Sequence, residues 1–318
     1  MVEFGQYNKP SMQNQKQLIK QKALSLGFDL AGITVPGPLG PVDIEHLRSF
    51  LSMGRAAEMQ YMHRNFEKRT NPSKLLENAQ SVICLAINYK PVAQPKSGIA
   101  NYALYEDYHG FIKKRLLVLA EFIKSKFKPD LKIKACVDSV PLAERALAAR
   151  AGLGFIGKNR MLINPTLGPQ LLLGELITNL PLEPDEKIEL SCAGCNKCIK
   201  ACPTGALSDD GTFDARKCIS YLTTEHKGDI PVSLARKIDS SLFGCDRCLL
   251  ACPYSSASPA CKNKDFQFFP ERAKIKPGQI AKFSKEDFSR LFSNSPVYRI
   301  GIDQLKRNSK ICIQNAVH

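Results

Sequence analysis

Two cysteine runs constrain this chain more than any other feature. Cys192, Cys195, Cys198 and Cys202 are spaced C-x2-C-x2-C-x3-C, with Pro203 next. Cys245, Cys248 and Cys252, followed by Pro253, repeat the end of that pattern. Loops so dense in thiols need something other than apolar burial to fold around. The spacing is that of bacterial two-cluster ferredoxins, where three close thiolates wrap one [4Fe-4S] cluster and the fourth reaches another. Crossing the two runs assigns Cys192, Cys195, Cys198 and Cys252 to one cluster. Cys202, Cys245 and Cys248 go to the second, whose fourth ligand is missing because Leu242 stands where the triplet would be completed. Cys218 and Cys261 are the candidates for that place, and Cys218 is favoured because it lies between the runs. Paired CxxC units also bind zinc. A zinc ribbon, however, does not call for four cysteines between 192 and 202 and a Cys-Pro ending used twice.

The rest of the chain is conventional. Its 318 residues are enough for one large or two ordinary domains, and 44% hydrophobic with 24% charged residues is globular composition. No apolar run reaches the roughly 18 residues of a membrane-spanning helix. The N-terminus, MVEFGQYNKPSMQNQKQ, has neither a basic flank before an apolar stretch nor twin arginines, so no export signal is expected. Twelve cysteines in such a chain point to metal or redox chemistry rather than disulfides.

Periodicity predicts a helix from Met12 to Leu26, a strand from Phe28 to Thr34, and a helix in VDIEHLRSFLSMG capped by Asp43. A buried strand follows over Ser81 to Tyr89, then a long amphipathic helix, YHGFIKKRLLVLAEFIKSKF, and the strand KIKACVD. PLAERALAARAG reads as a helix opened by its proline, and MLINPTLGPQLLLGELITNL as two strands around a turn. The fold class expected is α+β: a mixed-sheet α/β domain over 1–180, a ferredoxin-like module over 181–262, and a basic segment over 263–318 packing on the core. Beyond Cys261 the chain carries twelve Lys/Arg against five Asp/Glu.

Two clusters handle single electrons, so a catalytic acceptor is expected in the 180 residues before them. Familiar fingerprints are missing there. GLGFIGKN does not follow a strand in GxGxxG register, and no CxxxCxxC run occurs. DYHG, from Asp107 to Gly110, only resembles the start of a cobalamin DxHxxG motif.

The stretch VDSVPLAERALAARAGLGFIGKNRMLINPTLGPQLLLGELIT (Val137 to Thr178), followed by the two cysteine runs, resembles the epoxyqueuosine reductase family. MQYM (Met59 to Met62), RTNPSKLLENAQSVICLAINY and CISYLTTEHKG (Cys218 to Gly228) fit the same family in the same order, so the resemblance runs from about residue 14 to residue 310. Many members continue into a C-terminal helical-repeat domain; this chain resembles a short form, ending at His318. The resemblance implies an oxidoreductase that reduces epoxyqueuosine at the tRNA wobble position to queuosine. Electrons from an external low-potential donor would pass through two [4Fe-4S] clusters to a base-off cobalamin. Asp138 matches the family's general acid and is also a cobalamin contact; burial beside the corrin should raise its pKa. Tyr61, Ser220 and Lys227 are further cobalamin contacts on this reading. For Glu144 and Arg145 the plain reading is a helix-face ion pair.

A formal charge of +15 suits a polyanionic partner. Lys262, Lys264, Arg272, Lys274, Lys276, Arg299, Lys306 and Arg307 are the candidate phosphate contacts. A cytoplasmic monomer without membrane attachment is expected. Two other readings fit part of the pattern: a cobalamin- and iron–sulfur-dependent reductive dehalogenase acting on a small molecule, and a ferredoxin-like electron carrier without chemistry of its own.

Overall fold

The computed structural model describes residues 11–316. The export-signal reading at residues 1–10, the start of the first expected segment, and residues 317–318 lie outside the described residues. The architecture is α+β. Strands β1 (Leu30–Thr34), β2 (Ser81–Asn88), β3 (Ile133–Cys136) and β6 (Leu171–Thr178) form one sheet in the order β1-β2-β6-β3. Its three pairings are all antiparallel, and a parallel pairing occurs at the isolated Ile99↔Phe243 bridge between the first segment and the cysteine-bearing module.

All eight residues of β2 and of β6 are buried, which is why both read as unbroken apolar runs. Their side chains alternate between two cores. Ile83, Leu85, Ile87 and Leu176 pack with Ile19 of helix α1 (Met12–Ser25) and with Leu116 and Leu119 of the long amphipathic helix. Val82, Cys84, Ala86 and Ile177 pack with Leu147 and Ala148 on the opposite face. Gly32 of β1 faces that second layer: a Cβ there would lie 2.1 Å from the carbonyl oxygen of Ala151.

Several expected boundaries move, each for a local reason. Helix α2 is Pro41–Ser52, with Gly40 as its cap; Pro41 fits the first helical position and leaves Asp43 inside the first turn. Short helices α3 (Gln60–His63) and α4 (Phe66–Thr70) follow. Helix α5 (Tyr108–Lys126) is capped by Asp107, whose carboxylate accepts the His109 amide at 3.0 Å. Helix α6 is Glu144–Arg150, starting three residues beyond Pro141, because Ser139 N–H turns back to Val137 O and Leu142 N–H to Val140 O. The two strands expected in MLINPTLGPQLLLGELITNL do not pair with each other. β5 (Leu162–Ile163) pairs with β4 (Phe155–Ile156), and β6 enters the main sheet.

The module holds α7 (Lys197–Lys200), α8 (Ile219–Thr224), α9 (Val232–Ile238), α10 (Arg247–Leu250) and α11 (Pro253–Ala257). It is stitched to the end of β2: Lys90 Nζ donates to Ser255 O at 2.7 Å and Asn88 Nδ2 to Pro259 O at 3.0 Å. The last segment adds α12 (Pro277–Ala281), α13 (Lys285–Phe292) and α14 (Gly301–Asn315). One apolar core runs from Ile19 through Leu242 and Phe243 to Leu305 and Cys312, so all three segments share it. Arg272 anchors the last of them. Only 1% exposed, it donates to the carbonyls of Tyr105 (2.6 Å), Leu291 (3.0 Å) and Asn294 (3.0 Å). Its guanidinium is consumed by main-chain carbonyls inside the fold, so as a phosphate contact Arg272 is withdrawn.

Candidate active site and thiol clusters

The cysteine-rich loops arrange their thiols in two groups. In the first, Ala193 and Gly194 both take positive φ (41° and 81°), which turns the chain so that Cys195 N–H meets Cys192 O at 2.8 Å. Cys198 lies in α7, and Cys252 caps α11 with Pro253 at the first helical position. Cys192, Cys195, Cys198 and Cys252 line one cavity of about 250 Å³ together with Lys158, Asn159 and Tyr254. The Lys158 amide points at Cys192 Sγ from 3.3 Å. Among the described residues no three His, Cys, Asp or Glu side chains are grouped to hold one metal ion. Four sulfurs lining one cavity are an all-sulfur donor set that fits an iron–sulfur cluster.

In the second group Cys248 feels the thiols of Cys245, Cys218 and Cys202, and Cys245 that of Cys218. Burial raises Cys218, and pushes Cys245 up to about 11. Burial opposes ionisation of Cys202 as well. Hydrogen bonds from the Thr204 hydroxyl and the amides of Ala206, Thr204 and Leu207 outweigh it, and this thiol lies below its ordinary value. Cys261 belongs to neither group: its neighbours are Tyr105, Asn263 and Asp29. Cys84 and Cys136 are buried in the sheet, and Cys312 is buried in α14.

From the second group an aromatic column leads toward Asp138. Tyr89 feels Asp246 and Cys248; it meets Tyr102 edge-on at 6.3 Å, and Tyr102 meets Tyr108 at 6.1 Å. Tyr108 donates its hydroxyl proton to Asp138 Oδ2 at 2.8 Å. Asp138 follows β3 in a left-handed turn, with φ +50° and a side chain 57% exposed. His109 Nε2 lies 3.1 Å from the same oxygen, and His109 Nδ1 lies 2.7 Å from Asp107 Oδ1. Neither Tyr108 nor His109 stands out from the sequence as a site residue. DYHG invites comparison only with a cobalt-binding histidine motif, whereas the role of its imidazole depends on a carboxylate 29 residues away.

The pKa expected for Asp138 is not the one the fold produces. The His109 hydrogen bond lowers it, burial opposes that, and the Tyr108 hydroxyl lowers it again, leaving the carboxyl below its usual range. Burial would lower His109, but hydrogen bonds to Asp107 and Asp138 prevail and carry it up to about 9. At neutral pH the proton of this pair therefore sits on the imidazole.

Tyr61, half exposed on α3, joins the same region, where burial and the charges of Glu225 and Asp138 push its hydroxyl up to about 12. Arg299 closes another side through an ion pair with Glu225 at 2.7 Å. Ser220 lies in α8, two residues after Cys218, where its carbonyl accepts the Thr223 and Thr224 hydroxyls. Lys227 is exposed and forms no ion pair among the described residues. The Glu144–Arg145 ion pair is also absent among the described residues. Glu144 Oε1 instead accepts the Asp138 amide at 2.6 Å, while Arg145 bonds to Arg160 O. Behind Glu144 stands Glu175, an acid in the middle of a buried strand; the lone charge in LLLGELIT is the sequence signal for it.

A family model for the 4Fe-4S double cluster binding domain matches residues 191–255, and one described as epoxyqueuosine reductase QueG, DUF1730 matches residues 69–139. The epoxyqueuosine reductase of Pseudomonas aeruginosa is 36% identical over 94% of this chain and 85% of its own length. A crystal structure of epoxyqueuosine reductase with an epoxyqueuosine-modified tRNA-Tyr stem loop superposes with a TM-score of 0.88 at 32% identity, over 96% of this chain and 82% of that one. The Bacillus subtilis enzyme, in a structure whose catalytic aspartate loop is swung out of the active site, gives 0.87 at 32% identity with the same coverage.

Proposed function

The chain belongs to the epoxyqueuosine reductase family, and on that footing we propose that it reduces epoxyqueuosine at the tRNA wobble position to queuosine. Two electrons and two protons convert the epoxide to an alkene and release one water. The observation that carries this reading is the placement of a carboxylate–imidazole pair, Asp138 and His109, one aromatic column away from two groups of four thiols.

The cofactors fit the residues present. Cys192, Cys195, Cys198 and Cys252 would hold one [4Fe-4S] cluster; Cys202, Cys218, Cys245 and Cys248 would hold the other. A cobalamin would lie beside Asp138, where both ring nitrogens of His109 are already taken by carboxylates and those of His226 by Glu58 and Asp229 O. Arg69 Nε, buried beside Tyr61 and Asp138, has no hydrogen-bond partner among the described residues. Tyr61, Ser220, Lys227 and Asp138 are the residues we assign to the corrin. Bound together, these groups supply single electrons at low potential to a strongly reducing centre.

The chain's own residues supply the proton. The proton held on the His109 imidazolium passes through Asp138 to the oxygen of the opening epoxide, because an alkoxide is a poor leaving group. His109 stays charged up to about pH 9 and reloads Asp138, while Tyr108 fixes the carboxylate. Lys262, Lys264, Lys274, Lys276 and Lys306 remain available to tRNA phosphates, whereas Arg299 and Arg307 are engaged by Glu225 and by the carbonyls of His226, Gly228 and Leu222. Among the described residues no helix is long and apolar enough to cross a membrane. We place the enzyme in the cytoplasm as a monomer served by an external low-potential electron donor.

The test is anaerobic incubation of the reconstituted protein and a strong reductant with tRNA bearing epoxyqueuosine, followed by nucleoside mass analysis. Queuosine, one oxygen lighter than its precursor, is the expected product. Unchanged epoxyqueuosine with both clusters spectroscopically intact would overturn the reading.

A further inference from the structure

Glu175 presents a physical problem the reaction does not resolve. It sits in mid-strand, fully buried, in register with Cys84 on one side and Cys136 on the other. Neither of its carboxyl oxygens meets a donor among the described residues. An ionised carboxylate cannot persist there, because nothing replaces the water it has lost. A protonated one can, provided its own O–H finds an acceptor. The group it faces is the carboxylate of Glu144, at the first position of α6. Two carboxyls in contact share one proton.

Glu144 spends its other contact on the acid loop. Its Oε1 accepts the Asp138 amide at 2.6 Å, and that amide belongs to a residue at φ +50°, a backbone region uncommon for residues other than glycine. The loop has little other main-chain support: Ser139 N–H turns back to Val137 O and Leu142 N–H to Val140 O. Resting on the assignment of Asp138 as proton donor, we propose that Glu144 and Glu175 form a shared-proton latch. Glu144 is the positioning residue that holds the Asp138 loop turned in, and Glu175 keeps Glu144 aimed at the loop.

Burial, chiefly, and the nearby Asp138 charge push Glu144 above the ordinary glutamate range, while its bond to the Asp138 amide and Arg145 pull it down. The other groups facing the pair are the neutral thiols of Cys84 and Cys136, with Arg150 and Lys134 acting through them. The sign follows. A carboxylate is the better acceptor, so the latch is firm while Glu144 is ionised and loosens as pH falls through its raised pKa.

Hydrogen–deuterium exchange of the peptide spanning residues 137–143, in cluster-loaded protein without cobalamin, reads the latch directly. After correction for intrinsic rates, exchange in the parent protein should rise as pH falls, at a pH above the ordinary glutamate range. Glu144→Ala should exchange fast at every pH, and Glu144→Gln, which keeps a carbonyl acceptor, should restore most protection. In Glu175→Leu the loosening should move to higher pH, because Glu144 loses its donor; Glu175→Gln should move it back. In turnover, Glu144→Ala should lower kcat by roughly tenfold to a hundredfold, the cost of a misplaced acid, with KM for tRNA unchanged. Exchange and kcat in Glu144→Ala equal to the parent would overturn the latch. Variant-dependent exchange with no queuosine from any form, parent included, would leave the latch standing and sink the assigned reaction.

Discussion

The residue assigned as proton donor shows how little of a site's electrostatics can be read before folding. Asp138 can be picked out only through family resemblance, since one aspartate after a strand is ordinarily a turn former. Its protonation state is hidden in the sequence, because the donors that lower its pKa lie on α5, 29 and 30 residues away. With the proton resting on His109 at neutral pH, the two residues act as one acid. Asp138→Asn should keep both clusters and lose turnover by about 10²- to 10⁴-fold, the range for a general acid. His109→Asn makes the sharper claim. In the parent, kcat should fall as pH rises through about 9, where the imidazole loses its proton. In His109→Asn that alkaline limb should vanish and the plateau should drop, because no reservoir reloads Asp138. A limb at the same pH in both proteins would assign the titration to another group.

Elements with one strong local rule are legible in the chain; those whose limits are set by tertiary contacts are not. Strands β2 and β6 announce themselves by continuous apolar sequence. The start of α6 does not, because the turn from 138 to 142 that delays it serves the acid loop and has no signature beyond a misleading Pro141. The cysteine module lies between these cases. Spacing alone separates the two ligand sets, since three thiols at two-residue intervals must face one object. Spacing cannot choose between Cys218 and Cys261, as both follow the first run at plausible distances. In the fold Cys218 lies just before α8 among Cys202, Cys245 and Cys248, whereas Cys261 turns to Tyr105 and Asp29. Cys218→Ala should therefore lose one cluster and about half the bound iron, seen as a matching fall in charge-transfer absorbance. Cys261→Ala should keep both clusters. The opposite result would move the eighth ligand to Cys261.

For the whole molecule the governing quantity is charge, and the fold decides which charges a partner can use. With two clusters bound through the eight thiolates assigned to them, the formal +15 would fall to roughly +11, about −2 per cluster. Counting basic residues after Cys261 treats them alike, yet Arg272 is locked inside and Arg307 is spent on three carbonyls. The usable cations are lysines, and one set borders the open groove of about 820 Å³ between α9 and α14, where Lys306 and Lys310 stand with Arg236. Asp303 and Asp229 line the same groove and would repel a phosphate. If RNA tracks this face, affinity should fall steeply with salt as counterions are released. Lys306→Ala with Lys310→Ala should flatten the log–log slope by about 1 to 2, roughly one for each phosphate left without its lysine. Asp303→Asn should strengthen binding at low salt. Arg272→Ala separates this surface account from a count of charges: its slope should match the parent, while the protein loses about 3 kcal/mol of stability from an emptied, hydrogen-bonded site. Binding of an unmodified anticodon stem loop, followed by fluorescence anisotropy from low to moderate salt, gives the slopes of the parent and the three variants, and urea unfolding gives the stability of Arg272→Ala. Equal slopes for the lysine double variant and the parent would move the RNA to another face.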